Sequence, residues 1–150
     1  MEEAVNYTEL ITKVYADDIR RLSSYIPYFE MKSGKDVASD YDGSLGEAKM
    51  KFPVYDARLI AFNNEASATT LMDPNYIYQY RKCRITTEQQ EREAIERAEK
   101  KDVEFLRAVL SRYVLEGRYK GARWVEGTER RIFLNVLKKL QAFLDDSRIR

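Results

Sequence analysis

VEFLRAVLSRYVLEGRYKGARWVEG, residues 103–127, is the stretch that decides the fold. Val103, Leu106, Leu110 and Tyr113 or Val114 recur at spacings of three and four, the period of one buried helix face. Asp102 precedes this stripe as a candidate N-cap. Gly117 follows it where a left-handed C-terminal cap is wanted. Gly121 and Gly127 then bracket a short turn of helix carrying Trp124. Beyond them, Ile132, Val136, Leu140 and Leu144 predict a last amphipathic helix over 129–145, with residues 146–150 expected to fray.

Working towards the N-terminus, residues 76–85 read YIYQYRKCRI. Tyr76, Tyr78 and Tyr80 alternate with the strand period, so a short extended segment is expected there. Thr86 and Thr87 each have Gln three positions on, and either can open a capping box. A polar surface helix is expected from that point to Lys100, with Ala94, Ile95 and Ala98 as its thin apolar stripe. Leu59, Phe62 and Ala66 place a helix at about 55–69, with Asp56 as cap or first-turn charge. Residues 31–52 lose all periodicity and hold three of the six glycines, which predicts a long mobile loop, with a short hairpin as the alternative. Residues 3–27 regain the helical period through Ile11, Tyr15, Ile19, Leu22 and Ile26, with Pro27 as terminator and a break near Ala16 as a variant. No internal repeat is visible. The expected fold is a single, mainly α domain of about five or six helices.

The chain has 150 residues and no histidine. That excludes histidine-based acid–base catalysis, Ser-His and Cys-His nucleophile pairs and the common zinc sites. Cys83 is the one cysteine, so no intrachain disulfide forms. Lys82 and Arg84 flank it and can lower a thiol pKa, but with no histidine partner a resting structural thiol is the preferred reading. No run is apolar enough for a membrane span, and the opening MEEAVNYTE does not read as a secretory leader. A cytoplasmic protein with no membrane partner is expected.

Net charge is +1, but residues 1–80 carry 8 basic against 13 acidic residues, a net of −5. Residues 81–150 carry 18 against 12, a net of +6. Such a split steers a polyanion to one end, or else the two halves pair within the fold. In residues 116–124, EGRYKGARW, the basic Arg118, Lys120 and Arg123 interleave with Tyr119 and Trp124. Basic side chains meet phosphate and aromatic rings stack on bases, so this turn is a candidate binding surface. The competing reading makes the glycines caps, the tryptophan core and the arginines solvated. Tyr78, Tyr80, Arg81 and Arg84 form a second candidate surface, with an aromatic face packed on the core as its alternative. The acid pairs Asp17/Asp18, Asp40/Asp42 and Asp145/Asp146 lack a supporting pattern for carboxylate or Mg²⁺ chemistry. No Walker, GxGxxG or GxSxG motif is present.

Read together, YIPYFE (25–30), FPVYDARLIAF (52–62), LMDPNYIYQYRKCRI (71–85), LRAVLSRYVLEGRYKGARWVEG (106–127) and IFLNVLKKL (132–140) resemble small bacterial proteins grouped as a domain of unknown function. These are frequent in Gram-positive gut bacteria and on their mobile elements. The shared core corresponds to Leu110, Tyr113, Val114, Gly117, Gly121, Trp124, Gly127 and Phe133. The resemblance implies a small helical domain in a bacterial cytoplasm, and supplies no activity, cofactor or catalytic residue. A mobile-element setting implies regulation or interference with host machinery, including inhibition of a defence nucleoprotein. The resulting expectation is a binding or regulatory module without catalysis or cofactor, contacting a protein or nucleoprotein. Direct nucleic-acid binding is the alternative, a carboxylate/Mg²⁺ enzyme is the least supported reading, and self-association through the last helix into a homodimer is a further one.

Overall fold

A computed structural model describes residues 5–32, 38–42, 51–119 and 122–148. Asn6 caps a short turn, Tyr7–Glu9, through its side chain. A π-helical stretch, Leu10–Tyr15, leads from that turn into α1, Ala16–Ser23. The variant break near Ala16 takes the form of a change from π to α geometry, the chain leaves the helix at Ser24 and Tyr25, and Pro27 does not end a helix. It sits in the first turn of α2, Ile26–Met31, where a missing N–H loses no intrahelical bond.

Within and just beyond the expected loop, β1 (Ala38–Asp42) and β2 (Lys51–Tyr55) pair antiparallel, with Tyr41 opposite Phe52. The hairpin alternative holds for these backbone segments. The expected mobility of the rest of 31–52 falls on residues outside those described. α3 spans Ala57–Ser67 and α4 spans Tyr76–Lys82, so the predicted extended segment is helical. Asp56 makes no side-chain cap and instead accepts from the Tyr28 hydroxyl.

α5, Glu88–Arg97, opens with the expected capping box, made by Thr87 and Gln90. A 3₁₀ turn, Lys100–Asp102, leads into α6, Val103–Glu116. Asp102 does not cap α6, because its carboxylate accepts from the Glu99 N–H at 3.0 Å. α7 is Ala122–Glu129 and α8 is Ile132–Arg148, so the last helix starts later and runs further than expected. These eight helices exceed the five or six expected, because the N-terminal helix divides and residues 76–82 add one. No helix among the described residues is long and apolar enough to cross a membrane.

α8 is the spine of the core. It packs against α1, α2, α5, α6 and α7. Ile132, Val136, Leu140 and Leu144 are buried, so the predicted stripe lies inside the fold and is not presented to a second copy. An aromatic cluster joins the N-terminal helices to this spine. Phe62 stands 4.8 Å from Phe29 and 5.0 Å from Phe133, in edge and tilted arrangements that rings prefer to face-to-face stacking.

The two described glycines of the C-terminal half act through close packing. Gly117 ends α6 in the right-handed region, with φ −65°, so it is not the left-handed cap expected. A Cβ there would run into the Trp124 indole. That ring is fixed by its Nε1–H donating to the Val114 carbonyl at 3.1 Å and by Tyr55 at 5.7 Å. Gly127 lies inside α7, not beyond it, against the buried Phe133 ring. Gly117→Ala should therefore displace the single tryptophan and destabilise by about 1–3 kcal/mol, the usual penalty of overpacking. A lower melting temperature with a red-shifted tryptophan emission is expected. Unchanged emission would show that the indole is not held at Gly117.

Candidate binding cleft

Tyr76, Ile77, Tyr80, Arg81 and Arg84 lie at offsets 0, 1, 4, 5 and 8, which is one face of a helical turn sequence. Tyr76, Ile77, Tyr80 and Arg81 of α4, with Arg84 just beyond its end, line a cleft of about 630 Å³, closed by the start of α5 and by α6. Burial decides for helix over strand here. Tyr80 packs against Phe105 at 5.7 Å, and the Tyr76 hydroxyl donates to Glu116 on α6 at 2.7 Å. α4 ends with the Ile85 N–H donating to the Tyr80 carbonyl at 2.9 Å and the Arg84 N–H to Arg81 at 3.1 Å. This closure needs a left-handed residue, usually glycine, and Arg84 supplies it at φ 56°.

The floor is a closed polar network. The Glu91 carboxylate, 2% exposed, accepts from the Tyr80 hydroxyl at 2.7 Å, the Tyr113 hydroxyl at 2.6 Å and an Arg112 guanidinium N–H at 3.3 Å. Arg112 also lies over the Tyr80 ring, 4.9 Å from its centre, and 3.8 Å from Glu116. Arg130 donates to the Tyr113 hydroxyl at 3.3 Å and pairs with Glu88 and Glu126 at 3.3 and 3.4 Å. Burial first, and then the neighbouring Glu91, pushes Tyr80 and Tyr113 well above the ordinary phenol value. Burial and Glu116 do the same to Tyr76. Burial opposes the Arg112 charge, but Tyr80 and Glu91 outweigh it, and Arg112 holds its proton more tightly than usual. The three tyrosines thus serve as neutral hydrogen-bond donors.

The rim differs from the floor. Ile77 is 51% exposed, and Arg81 and Arg84 are exposed with no ion pair among the described residues. Of the residues predicted to bind, Arg81 and Arg84 therefore reach the cleft mouth, while Tyr80 belongs to its floor. Tyr78 is exposed but outside the cleft lining. Arg118 and Tyr119 are exposed in the turn after α6, with the Tyr119 hydroxyl beside that of Tyr76. Arg123 is occupied, held by Glu116 at 3.0 Å and Glu126 at 2.7 Å. Trp124 is the packing element of Gly117. Lys120 lies outside the described residues.

Sequence reasoning passed over Glu91, Arg112, Glu116 and Arg130. The α4 face at offsets of four was the available signal for the cleft, and Glu91 at the head of the Ile95 and Ala98 stripe was the signal for its floor. Among the described residues, most ion pairs stay within one half of the chain. Lys138–Glu30 joins the two halves, whereas Arg21–Glu65, Arg112–Glu91 and Arg123–Glu116 each stay within one half. Asp17 pairs with Arg20, Asp18 accepts from Thr70, and Asp145 accepts from Gln141. No group of three metal-ligating side chains occurs among the described residues. Burial, with Asp102 nearby, raises the Cys83 thiol despite Lys82, in keeping with an unreactive thiol.

No protein-family model, curated protein or solved structure matches the chain.

Proposed function

We propose that this protein is a non-catalytic binding module that engages a protein or nucleoprotein partner through the mouth of the α4–α5–α6 cleft. One observation carries the reading. The arginines of the floor, Arg112 and Arg130, are ion-paired, whereas Arg81 and Arg84 at the mouth are exposed and unpaired among the described residues, beside exposed Ile77. Arginine beside apolar surface is the chemistry that anchors interfaces. The cleft carboxylates support binding over catalysis, since Glu91 and Glu116 are already engaged by tyrosine and arginine donors. The reading places the protein in the cytoplasm, where an unpaired thiol such as Cys83 persists.

A photo-crosslinking residue at Ile77 tests it, with the same residue at Ile60 on α3 as the control. The expected result is a discrete conjugate from position 77 alone that disappears in the Arg81→Glu/Arg84→Glu double variant. Equal labelling from both positions, or labelling indifferent to charge reversal, would remove this surface from consideration.

Direct nucleic-acid binding is the second reading, favoured by the exposed Tyr78 and Tyr119 rings beside Arg81 and Arg118, which have no ion pair among the described residues. It predicts oligonucleotide affinity that falls steeply with salt, through counterion release. A flat salt response in an anisotropy titration would exclude it.

A further inference from the structure

We propose that the cleft takes one carboxylate carried beside an apolar side chain, presented by an acidic, apolar segment of the partner protein. This rests on the reading above and names the chemistry of the same site. Four arginines line the cleft, Arg81, Arg84, Arg112 and Arg130, against three carboxylates, Glu88, Glu91 and Glu116, which leaves the lining with one net positive charge. A single negative charge balances it. A phosphate dianion or a polyanion would add its charge in front of the three carboxylates, at a repulsive cost.

The two guanidiniums without an ion pair among the described residues lie at the rim, and the planar arginine fork matches a carboxylate through two parallel hydrogen bonds. Ile77, Ile85 and the ring of Tyr76 supply an apolar wall next to them. The volume, about 630 Å³, suits a few side chains or a small ligand. Backbone strain points to the same residue. Arg84 occupies a left-handed position that glycine takes without penalty, and here it holds a rim guanidinium over the cleft.

The test uses fluorescein-labelled, end-blocked peptides with a Phe-Asp-Leu core, their Asn and phosphoserine counterparts, and a short single-stranded DNA, titrated by anisotropy. The Asp peptide should bind, and its Asn counterpart should bind about tenfold more weakly or worse. Arg81→Gln and Arg84→Gly should each weaken the Asp peptide by about tenfold. Arg84→Gly should do so with an unchanged or higher melting temperature, because glycine relieves the strained φ. Thus a misfolded variant cannot imitate the result. Equal affinity for Asp and Asn peptides, or wild-type affinity in both variants, overturns the proposal. Tighter binding of the phosphoserine peptide or the DNA overturns it in favour of phosphate. No Asp-peptide binding up to about 1 mM overturns it as well. That result would leave the crosslink from Ile77, which registers contact whatever the ligand chemistry, to judge the broader reading.

Discussion

Glu91→Leu is expected to destabilise the fold by about 3–5 kcal/mol, the cost of removing one partner from a buried, hydrogen-bonded ion pair. Leucine is similar in reach to glutamate and only modestly bulkier, so most of the loss is not one of packing. It comes from what is left behind: the Tyr80 and Tyr113 hydroxyls and one face of the Arg112 guanidinium, all turned towards a side chain that accepts nothing. Burial makes each orphaned donor expensive, since water does not replace the lost acceptor at a site 2% exposed.

Intermediate variants order the contributions. Tyr80→Phe and Tyr113→Phe each remove one hydrogen bond to a charged acceptor and should cost about 1.5–3 kcal/mol. Adding Arg112→Met to Glu91→Leu removes the stranded charge and should recover part of the loss, since replacing both partners by apolar groups is far cheaper than breaking the pair. Urea denaturation read by circular dichroism gives these values. A Glu91→Leu loss below about 1 kcal/mol would mean that the carboxylate contributes no more than an ordinary surface pair.

The same residue shows what was legible in the sequence. The stripes Val103–Leu110 and Ile132–Leu144 were readable, because an apolar residue every three or four positions has few interpretations other than a buried helix face. Their burial in α6 and α8 follows from that pattern alone. The tyrosines of α4 carried two periods at once. Tyr76, Tyr78 and Tyr80 alternate like a strand, while Tyr76, Tyr80 and Arg84 are also spaced by four. Local pattern cannot arbitrate between them. Hydrogen bonds to Glu116 and Glu91, from elements further along the chain, decide for helix. Glu91 itself is one of several glutamates on a polar helix, and only its distant partners Tyr113 and Arg112 set it apart. For the same reason Arg123 and Trp124 read as ligand-binding groups. The sequence does not reveal that Glu116 holds the first or that Gly117 makes room for the second.

Alkaline unfolding should set in as the pH rises above about 10 and be complete near 12, driven by the buried tyrosines. Tyr15 is pushed up to about 12 by burial, with the Glu104 hydrogen bond adding to the rise against the opposing pull of Arg107. Tyr28, Tyr80 and Tyr113 are also raised, each first by burial and then by the carboxylate its hydroxyl touches. A phenol loses its proton more readily in the unfolded chain than in this fold. Between the unfolded and folded values the folded state therefore binds more protons, and stability falls as pH rises. The contribution is fully present below the unfolded value and is lost on passing up through the folded one. Tyr80 and Tyr113 both add to the slope in that window, where the buried phenols together work against the modest stability of a small domain. The guanidiniums of Arg112 and Arg130 keep their charge there, so within the network around Glu91 it is the tyrosines that lose protons. Tyrosinate absorbance and helical circular dichroism followed together should show the buried phenols ionising only as helicity is lost. Their ionisation with helicity intact would mean that the network around Glu91 opens to solvent within the folded state, and that the cleft floor is not the rigid platform on which Arg81 and Arg84 are displayed.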